Sequence, residues 1–387
     1  MKKIIFFSHP LFIGSQSMPR FVNMLSDGMK ARGYQTEVWR PDAKFSSLPI
    51  PGMKKWLGYI DQFLVFPGKV RKKMKKEHDD VLYVITDHAL GPYVPLVVNK
   101  PHVIHCHDFL AQRSALGEIP ENITSASGQQ YQAYIRKGYS KGKNFISVSE
   151  KTRTDLKEFL PSTPLRSEMV YNGLNPSFVH GSAIAARAAL KQTLKLDLSN
   201  GYVLHVGGNQ WYKNREGVIA IYEQWRTISG RTLPLILIGN TPSAGLMAKY
   251  EASAWKKDIH FFSGLDDKSV YDAYTGATVF LFPSIAEGFG WPIAEAMASG
   301  TPVITTNEVP MLEVAGDAAF LIDRKPADKS EQELWATNAA AVLNRVVTME
   351  DKERDIAINR GLANVQRFKL EEALDKIELI YKQVLNS

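Results

Sequence analysis

The chain holds a single cysteine, Cys106, among 387 residues. A lone thiol excludes a disulfide framework and any metal cluster built on cysteines, and it reads as buried packing. Long hydrophobic runs are also missing, since no apolar stretch reaches the roughly 18 residues of a membrane span. Met1-Lys-Lys-Ile leads straight into an apolar strand, so a secretory leader is not expected and a cytoplasmic protein is. A third absence is the G-x-G-x-x-G fingerprint: Gly14 stands alone after the first apolar run, which argues against a dinucleotide-dependent dehydrogenase.

What remains is an ordinary globular composition, 44% hydrophobic and 22% charged, of a length that suggests two or three domains. The net charge of +7 points to an acidic partner, and its distribution matters more than its total. Residues 53 to 76 set eight cations (Lys54, Lys55, Lys69, Arg71, Lys72, Lys73, Lys75 and Lys76) against one acid, Asp61. Trp56, Ile60, Phe63 and Leu64 fall at helical spacing with Leu57 beside them, and Pro67-Gly68 predicts a split into two helices. Two readings stay open: a solvated helical hairpin with its apolar side in the core, or a basic amphipathic surface resting on anionic lipid. Nucleic acid fits less well, because the cations are not interleaved with exposed aromatics or glycine motifs.

Short apolar runs of the kind that make buried parallel strands recur along the chain. They are Lys3–Ser8, Thr36–Trp39, Val81–Thr86, His102–His107, Asn144–Ser149 and Glu168–Tyr171, each separated by a helical pattern. After the Asn172-Gly173 turn the alternation starts afresh at Tyr202–Gly207, Pro234–Ile238, Ile259–Phe262, Thr278–Phe282, Pro302–Thr306 and Ala319–Ile322. The expected fold is α/β, with two Rossmann-like, doubly wound parallel-sheet domains facing each other across a cleft. The boundaries read as 1–175, 176–365 and a C-terminal helix over 366–387 that can pack back toward the first domain. His105 and His107, two apart on a strand, share a face. No third ligand is near, so no metal site is expected. His107, next to Asp108 at a strand's carboxyl end, is a functional candidate, whereas His105 reads as core.

The most informative stretch is LFPSIAEGFGWPIAEAMASGTP, residues 281 to 302. A strand runs into a loop bearing Glu287, Gly288, Phe289 and Gly290, and Pro292 suits the first turn of the helix that follows. Gly300 and Pro302 stop that helix. The loop lies at the carboxyl end of a strand, where open parallel sheets bind ligands, and the amides of the helix start favour anionic ones. Taken singly, Glu295 would suit any helix's first turn, and the glycines any tight turn.

The chain resembles the retaining, nucleotide-sugar-dependent glycosyltransferases of the GT-B fold, in the large group 1 or family 4 type. The likeness rests on PSIAEGFGWPIAEAMASGTPVITT, FISVSEKTRTDL, VYNGLNPSF, the lysine and asparagine of VGGNQWYKN, and HCHD in the first half. It implies a nucleoside diphosphate sugar as donor substrate, no further cofactor and no metal. By position, Glu287 would bind hydroxyls of the transferred sugar. Phe289 and Gly290, with Gly288, would present backbone amides, and Glu295 would take the ribose. Lys213 would neutralise the departing diphosphate, and His107 would hydrogen-bond the sugar. Gly208 and Asn209 fall in the same donor loop. Gly14 is placed with the donor-binding positions too, in a loop to Ser17 on the first domain's acceptor side. The pattern departs at Gly208, where many relatives carry an arginine; Asn209 or Arg215 are the residues available in its stead. The resemblance implies same-face attack, the donor phosphate taking the acceptor proton, and a glycan or lipid-linked acceptor, with a peripheral position on the inner face of the plasma membrane for some relatives. A nucleotide-sugar epimerase of the same fold and a non-catalytic scaffold are the alternative readings.

Overall fold

A computed structural model describes residues 2–13, 17–78 and 80–387. The chain divides into two compact units, one of Met1–Ile119, Ile123–Tyr171 and Glu371–Ser387, the other of Pro120–Asn122 and Asn172–Leu370. Each is built on one six-stranded, all-parallel sheet.

In the first unit the strands are β1 (Lys3–Phe7), β2 (Gln35–Trp39), β3 (Val81–Ile85), β4 (His102–Cys106), β5 (Asn144–Ser147) and β6 (Arg166–Met169), in the order β2-β1-β3-β4-β5-β6. Strands β1, β3, β4 and β5 are almost wholly buried, as expected of a sheet covered on both faces. The chain reverses direction across the sheet between β1 and β3, so their carboxyl ends open a crevice. Most of the last helix, Leu370–Leu385, packs in this unit. Arg32 bridges to Asp375 and Glu371, and Leu374 lies over Gly28, where a Cβ would come within 2.6 Å.

The second unit carries β7 (Val203–Val206), β8 (Leu235–Ile238), β9 (Ile259–Phe262), β10 (Val279–Phe282), β11 (Val303–Thr306) and β12 (Phe320–Ile322), ordered β12-β11-β10-β7-β8-β9. The reversal here falls between β7 and β10. Its core joins Trp225, Tyr222 and Val218 of one covering helix to Trp335, Ala339 and Leu343 of another, over Leu235, Leu237 and Leu281.

The basic segment differs from the sequence reading. Residues 54 to 74 form one continuous helical rod rather than two helices: Lys54–Ile60 and Phe66–Met74 are α-helical, joined through a π turn at Asp61–Val65. The widened turn sits directly ahead of Pro67, whose ring and missing N–H conflict with an unbroken α ladder. It also inserts a residue into the helical repeat. Leu57, Phe66 and Val70 are buried, whereas Leu64, within the widened turn, is 72% exposed and Trp56, ahead of it, 58%. Asp61 turns inward to accept the backbone amides of Lys44, Phe45 and Ser46 and the Ser46 hydroxyl. Burial works to raise its carboxyl, but those donors outweigh it and hold the group below its usual range. Among the described residues, no helix is long and apolar enough to cross a membrane.

Candidate active site

Two loops meet at the crevice of the second unit, one leaving β7 and the other leaving β10. Two hydrogen bonds and an ion pair are among the contacts that tie them. The Ile285 amide donates to the Tyr212 carbonyl at 2.7 Å, and Asn214 Nδ2 donates to the Pro283 carbonyl at 2.9 Å. The ion pair joins Lys213 Nζ to Glu287 Oε1 at 2.7 Å, both side chains largely buried. The Lys213 ammonium also lies over the rings of Phe282 and Tyr212, at 5.1 and 5.5 Å from their centroids. Removing either partner would strand a charge away from water, so the pair is held by mutual need.

The β10 loop ends at Gly290, whose φ of +108° caps the helix Trp291–Ala298 with no side-chain hydrogen bond. Only glycine adopts that conformation readily. Pro292 sits in the first turn and Gly300, at φ +79°, follows the last, as the sequence predicted. The Phe289 ring turns inward against Phe368 and Trp291. Glu295, four residues into the helix, accepts a hydrogen bond from the Tyr274 hydroxyl at 2.8 Å. Burial first, then the Glu295 charge, raises that hydroxyl well above its ordinary value, so it remains a donor.

At Gly208 the space beside the backbone is taken by two side-chain amides. A Cβ there would come within 2.3 Å of Gln210 Oε1 and 2.7 Å of Asn240 Oδ1. Both are the ends of flexible side chains, so a larger residue at this position would have to displace them. The guanidinium of Arg215 lies nearby at 5% exposure, donating from Nη1 to Asn209 Oδ1 at 2.6 Å and to the Asn240 carbonyl at 2.9 Å. Its Nε and Nη2 are buried without a hydrogen-bond partner, and burial pulls its pKa down to about 10. It is still a cation at neutral pH, and among the described residues no carboxylate forms an ion pair with it. Asn209 Nδ2 in turn donates to the Thr241 carbonyl at 2.6 Å. Arg215 therefore positions the loop and lends it positive potential. Beneath it, His205 Nδ1 donates to the Leu281 carbonyl at 2.9 Å, while Nε2 is buried without a partner; burial pushes the ring down to about 3, so it is neutral.

The first unit gathers a separate set of groups at the carboxyl ends of β1, β3 and β4. His107 Nε2 donates to the Thr86 carbonyl at 2.9 Å, with Phe21 edge-on at 4.5 Å. A carbonyl only accepts, so Nδ1 is the unprotonated nitrogen of the neutral ring. Burial lowers the His107 pKa, against the raising charges of Asp87 and Asp108. Asp87 contacts His9 Nε2 at 2.9 Å and His88 Nδ1 at 3.1 Å. Burial would raise its carboxyl, yet those two contacts hold it well below the usual range; at Asp108 burial outweighs the Leu110 amide, which donates to it at 3.0 Å, and the carboxyl is raised. His105 bonds the Tyr381 hydroxyl at 2.8 Å in the core, and Cys106 is fully buried beside it. Gly14 lies outside the described residues.

The structure thus brings Lys213, Glu287, Gly208, Asn209, Gly288, Phe289, Gly290 and Glu295 to one switch point of one sheet. The sequence reading did not single out Tyr274, His205, His9, Asp87 or His88. The pairs Tyr274–Glu295, His205–Leu281 and His9–Asp87 join residues far apart in the chain, and only the fold brings them together.

Residues 186–336 match the family model described as glycosyl transferases group 1, and residues 18–178 match that of glycosyltransferase family 4. O-antigen chain mannosyltransferase B of Escherichia coli is 30% identical over 184 residues, a match spanning 47% of this chain and 46% of that protein. Sucrose-phosphate synthase from Thermosynechococcus elongatus superposes with a TM-score of 0.74 at 16% identity, covering 99% of both chains. Anabaena HepE in complex with UDP and glucose superposes with a TM-score of 0.70 at 17% identity, over 97% of this chain and 98% of that one. At such identities the two superpositions establish the fold, which is that of the GT-B glycosyltransferases.

Proposed function

The chain belongs to the group 1 glycosyltransferases, and on that premise we propose that it moves a hexose from a nucleoside diphosphate sugar, with retention at the anomeric carbon, to a glycan or lipid-linked acceptor. The observation that carries this reading is the Lys213–Glu287 pair at the β7/β10 switch point. A transferase of this kind needs a cation for the departing diphosphate and a carboxylate for the sugar, and both stand here within hydrogen-bond distance. An arriving diphosphate supplies Lys213 with a new counter-charge and releases Glu287 to accept hydrogen bonds from sugar hydroxyls. The amides of Gly288 to Gly290 and the potential of Arg215 add to the positive side without calling for a metal. Glu295, oriented by Tyr274, takes the ribose hydroxyls, and His107 is proposed to hydrogen-bond the transferred sugar. The acceptor proton passes to the donor's own phosphate oxygen on the face of attack.

A thermal-shift screen with UDP, GDP and ADP sugars tests the donor assignment. A ligand that binds only the folded state at 100 times its Kd stabilises it by about 2.7 kcal/mol. One nucleotide series should raise Tm by several degrees; no shift with any of the three would refute the reading.

The acceptor reading follows the likeness to an O-antigen mannosyltransferase and places the enzyme in cell-surface polysaccharide or glycolipid synthesis. Peripheral contact with anionic membrane is part of the same proposal. Supporting it, Leu48, Ile50, Met53 and Trp56 are exposed in the stretch that carries Lys54 and Lys55. Co-sedimentation should then show stronger binding to vesicles containing phosphatidylserine than to neutral ones, weakening as salt rises. Equal binding to both at low salt would remove the membrane from the account.

A further inference from the structure

The second unit carries a cavity of about 400 Å³ at the amino ends of its strands, opposite the end that holds Lys213 and Glu287. Asn200 precedes β7, Leu233 precedes β8, Thr278 precedes β10 and Pro302 precedes β11, and all four line it. So do the basic side chains Arg187, Arg231, Arg354 and His180, against one acid, Asp351.

Two of these arginines are fixed by carbonyls. Arg187 donates from Nε to the Gly276 carbonyl at 2.8 Å and from Nη1 to that of Ser199 at 3.3 Å. Arg354 donates from Nη1 to Thr278 and from Nη2 to Val346, both at 2.8 Å. Gly276 and Val346 lie in the last turns of helices Asp267–Gly276 and Gln332–Val347, so these bonds satisfy carbonyls that helix ends leave open. They explain why the guanidiniums are anchored. They do not explain why two cations share a cavity with no carboxylate in ion-pair contact with either, among the described residues. Burial lowers the pKa of both, and for Arg354 the charge of Arg187 lowers it further while Asp351 raises it. Each guanidinium has five N–H donors, and the carbonyl bonds use only some of them. Two helices also begin at the cavity, Ala183–Leu194 and Asp351–Asn364, turning the positive ends of their dipoles toward it.

We propose that this cavity binds a small phosphate-bearing anion, separately from the donor site. An anion between Arg187 and Arg354 would relieve their mutual repulsion and take up their unused donors, with Arg231 and His180 closing over it from the exposed side. The volume accommodates inorganic phosphate or a phosphomonoester of a hexose, and falls at the lower end of small-molecule pockets. The inference does not depend on the donor reading.

The test is a titration of the full chain with inorganic phosphate and, separately, with glucose 6-phosphate, followed by Tm and calorimetry at matched ionic strength. The variant Arg231→Gln/Asn200→Asp alters exposed lining residues that hold no structural carbonyl. Lys257→Glu, exposed and outside the lining, changes net charge by the same amount. Wild type and Lys257→Glu should bind one or both ligands at millimolar concentration or tighter, and the cavity variant at least tenfold more weakly. Binding of phosphate alone would identify a free-phosphate site; tighter binding of the sugar phosphate would identify a metabolite site. Equal affinity in wild type and cavity variant would place the anion elsewhere and overturn the proposal, as would no binding of either ligand to wild type.

Discussion

Replacing Glu287 with alanine should cut transfer by a factor of about 10² to 10³, the scale of losing one preorganised group at a reacting centre, while tightening the grip on a bare nucleoside diphosphate. The second half of this expectation follows from the 2.7 Å ion pair. In the wild type a diphosphate competes with Glu287 for the Lys213 ammonium, and the variant removes the competitor. Affinity for the sugar-free nucleotide should therefore rise severalfold as turnover with the sugar nucleotide collapses. The same change leaves a largely buried ammonium without its counter-charge, which costs about 3 kcal/mol when a buried pair is broken from one side. Lys213→Ala should cost a similar amount in stability but weaken diphosphate binding. The double variant should be less destabilised than the two single changes summed, because their effects share one interaction. Calorimetric titration with the nucleoside diphosphate, alongside donor turnover, reads both halves. A Glu287→Ala protein that lost affinity for the bare nucleotide in step with its activity would contradict the competition.

Gly239→Ala should do comparable damage from outside the site. Gly239 follows β8 with a φ of +152°, and a Cβ on it would stand 2.0 Å from the Gly207 carbonyl oxygen. Gly207 is itself tied to β8 through its amide, which donates to the Ile238 carbonyl at 2.9 Å. Backbone, not a flexible side chain, must give way, and the part that moves is the start of the loop bearing Gly208, Asn209 and Lys213. A misplacement of about 1 Å at a catalytic loop costs on the order of 10²-fold in rate. Donor kcat/KM should fall by that order, and Tm should fall several degrees. Gly230→Ala is the comparison: its φ of +61° is also left-handed, but nothing lies within 4 Å of its Cβ position. It should lose only about 1 kcal/mol of stability and keep full activity. Equal activity losses in both variants would mean that the Gly239–Gly207 contact does not set the loop.

Much of this architecture was legible in the chain. Buried parallel strands are apolar on both faces, so runs such as Val279-Phe-Leu-Phe282 stand out without any partner being known. Gly290, Pro292 and Gly300 mark the turn and helix after it because each meets a backbone requirement that few other residues meet. The rod at residues 54 to 74 was misread because periodicity assumes 3.6 residues per turn throughout, and a π turn breaks that assumption without a signature of its own. Of the two readings left open for the apolar face, the core-facing one does not hold at Trp56 and Leu64, which are exposed. Arg215 was visible only as a stand-in for the absent arginine. That its guanidinium is buried and donates from Nη1 to Asn209 and Asn240 depends on the β7 and β8 loops lying side by side. The Tyr274–Glu295 and Asp87–His9 contacts leave no mark in the sequence either, because their members are far apart along the chain and only the fold joins them.

The central claim is that a nucleoside diphosphate sugar is held where the loops after β7 and β10 meet. Amide hydrogen exchange with a saturating sugar nucleotide, chosen as the one that raises Tm, tests it most directly. Slowed exchange is predicted in residues 207–214 and in 283–295, with the Glu295 helix protected from its first turn. Protection that left both loops unchanged and appeared elsewhere in the chain would contradict the account.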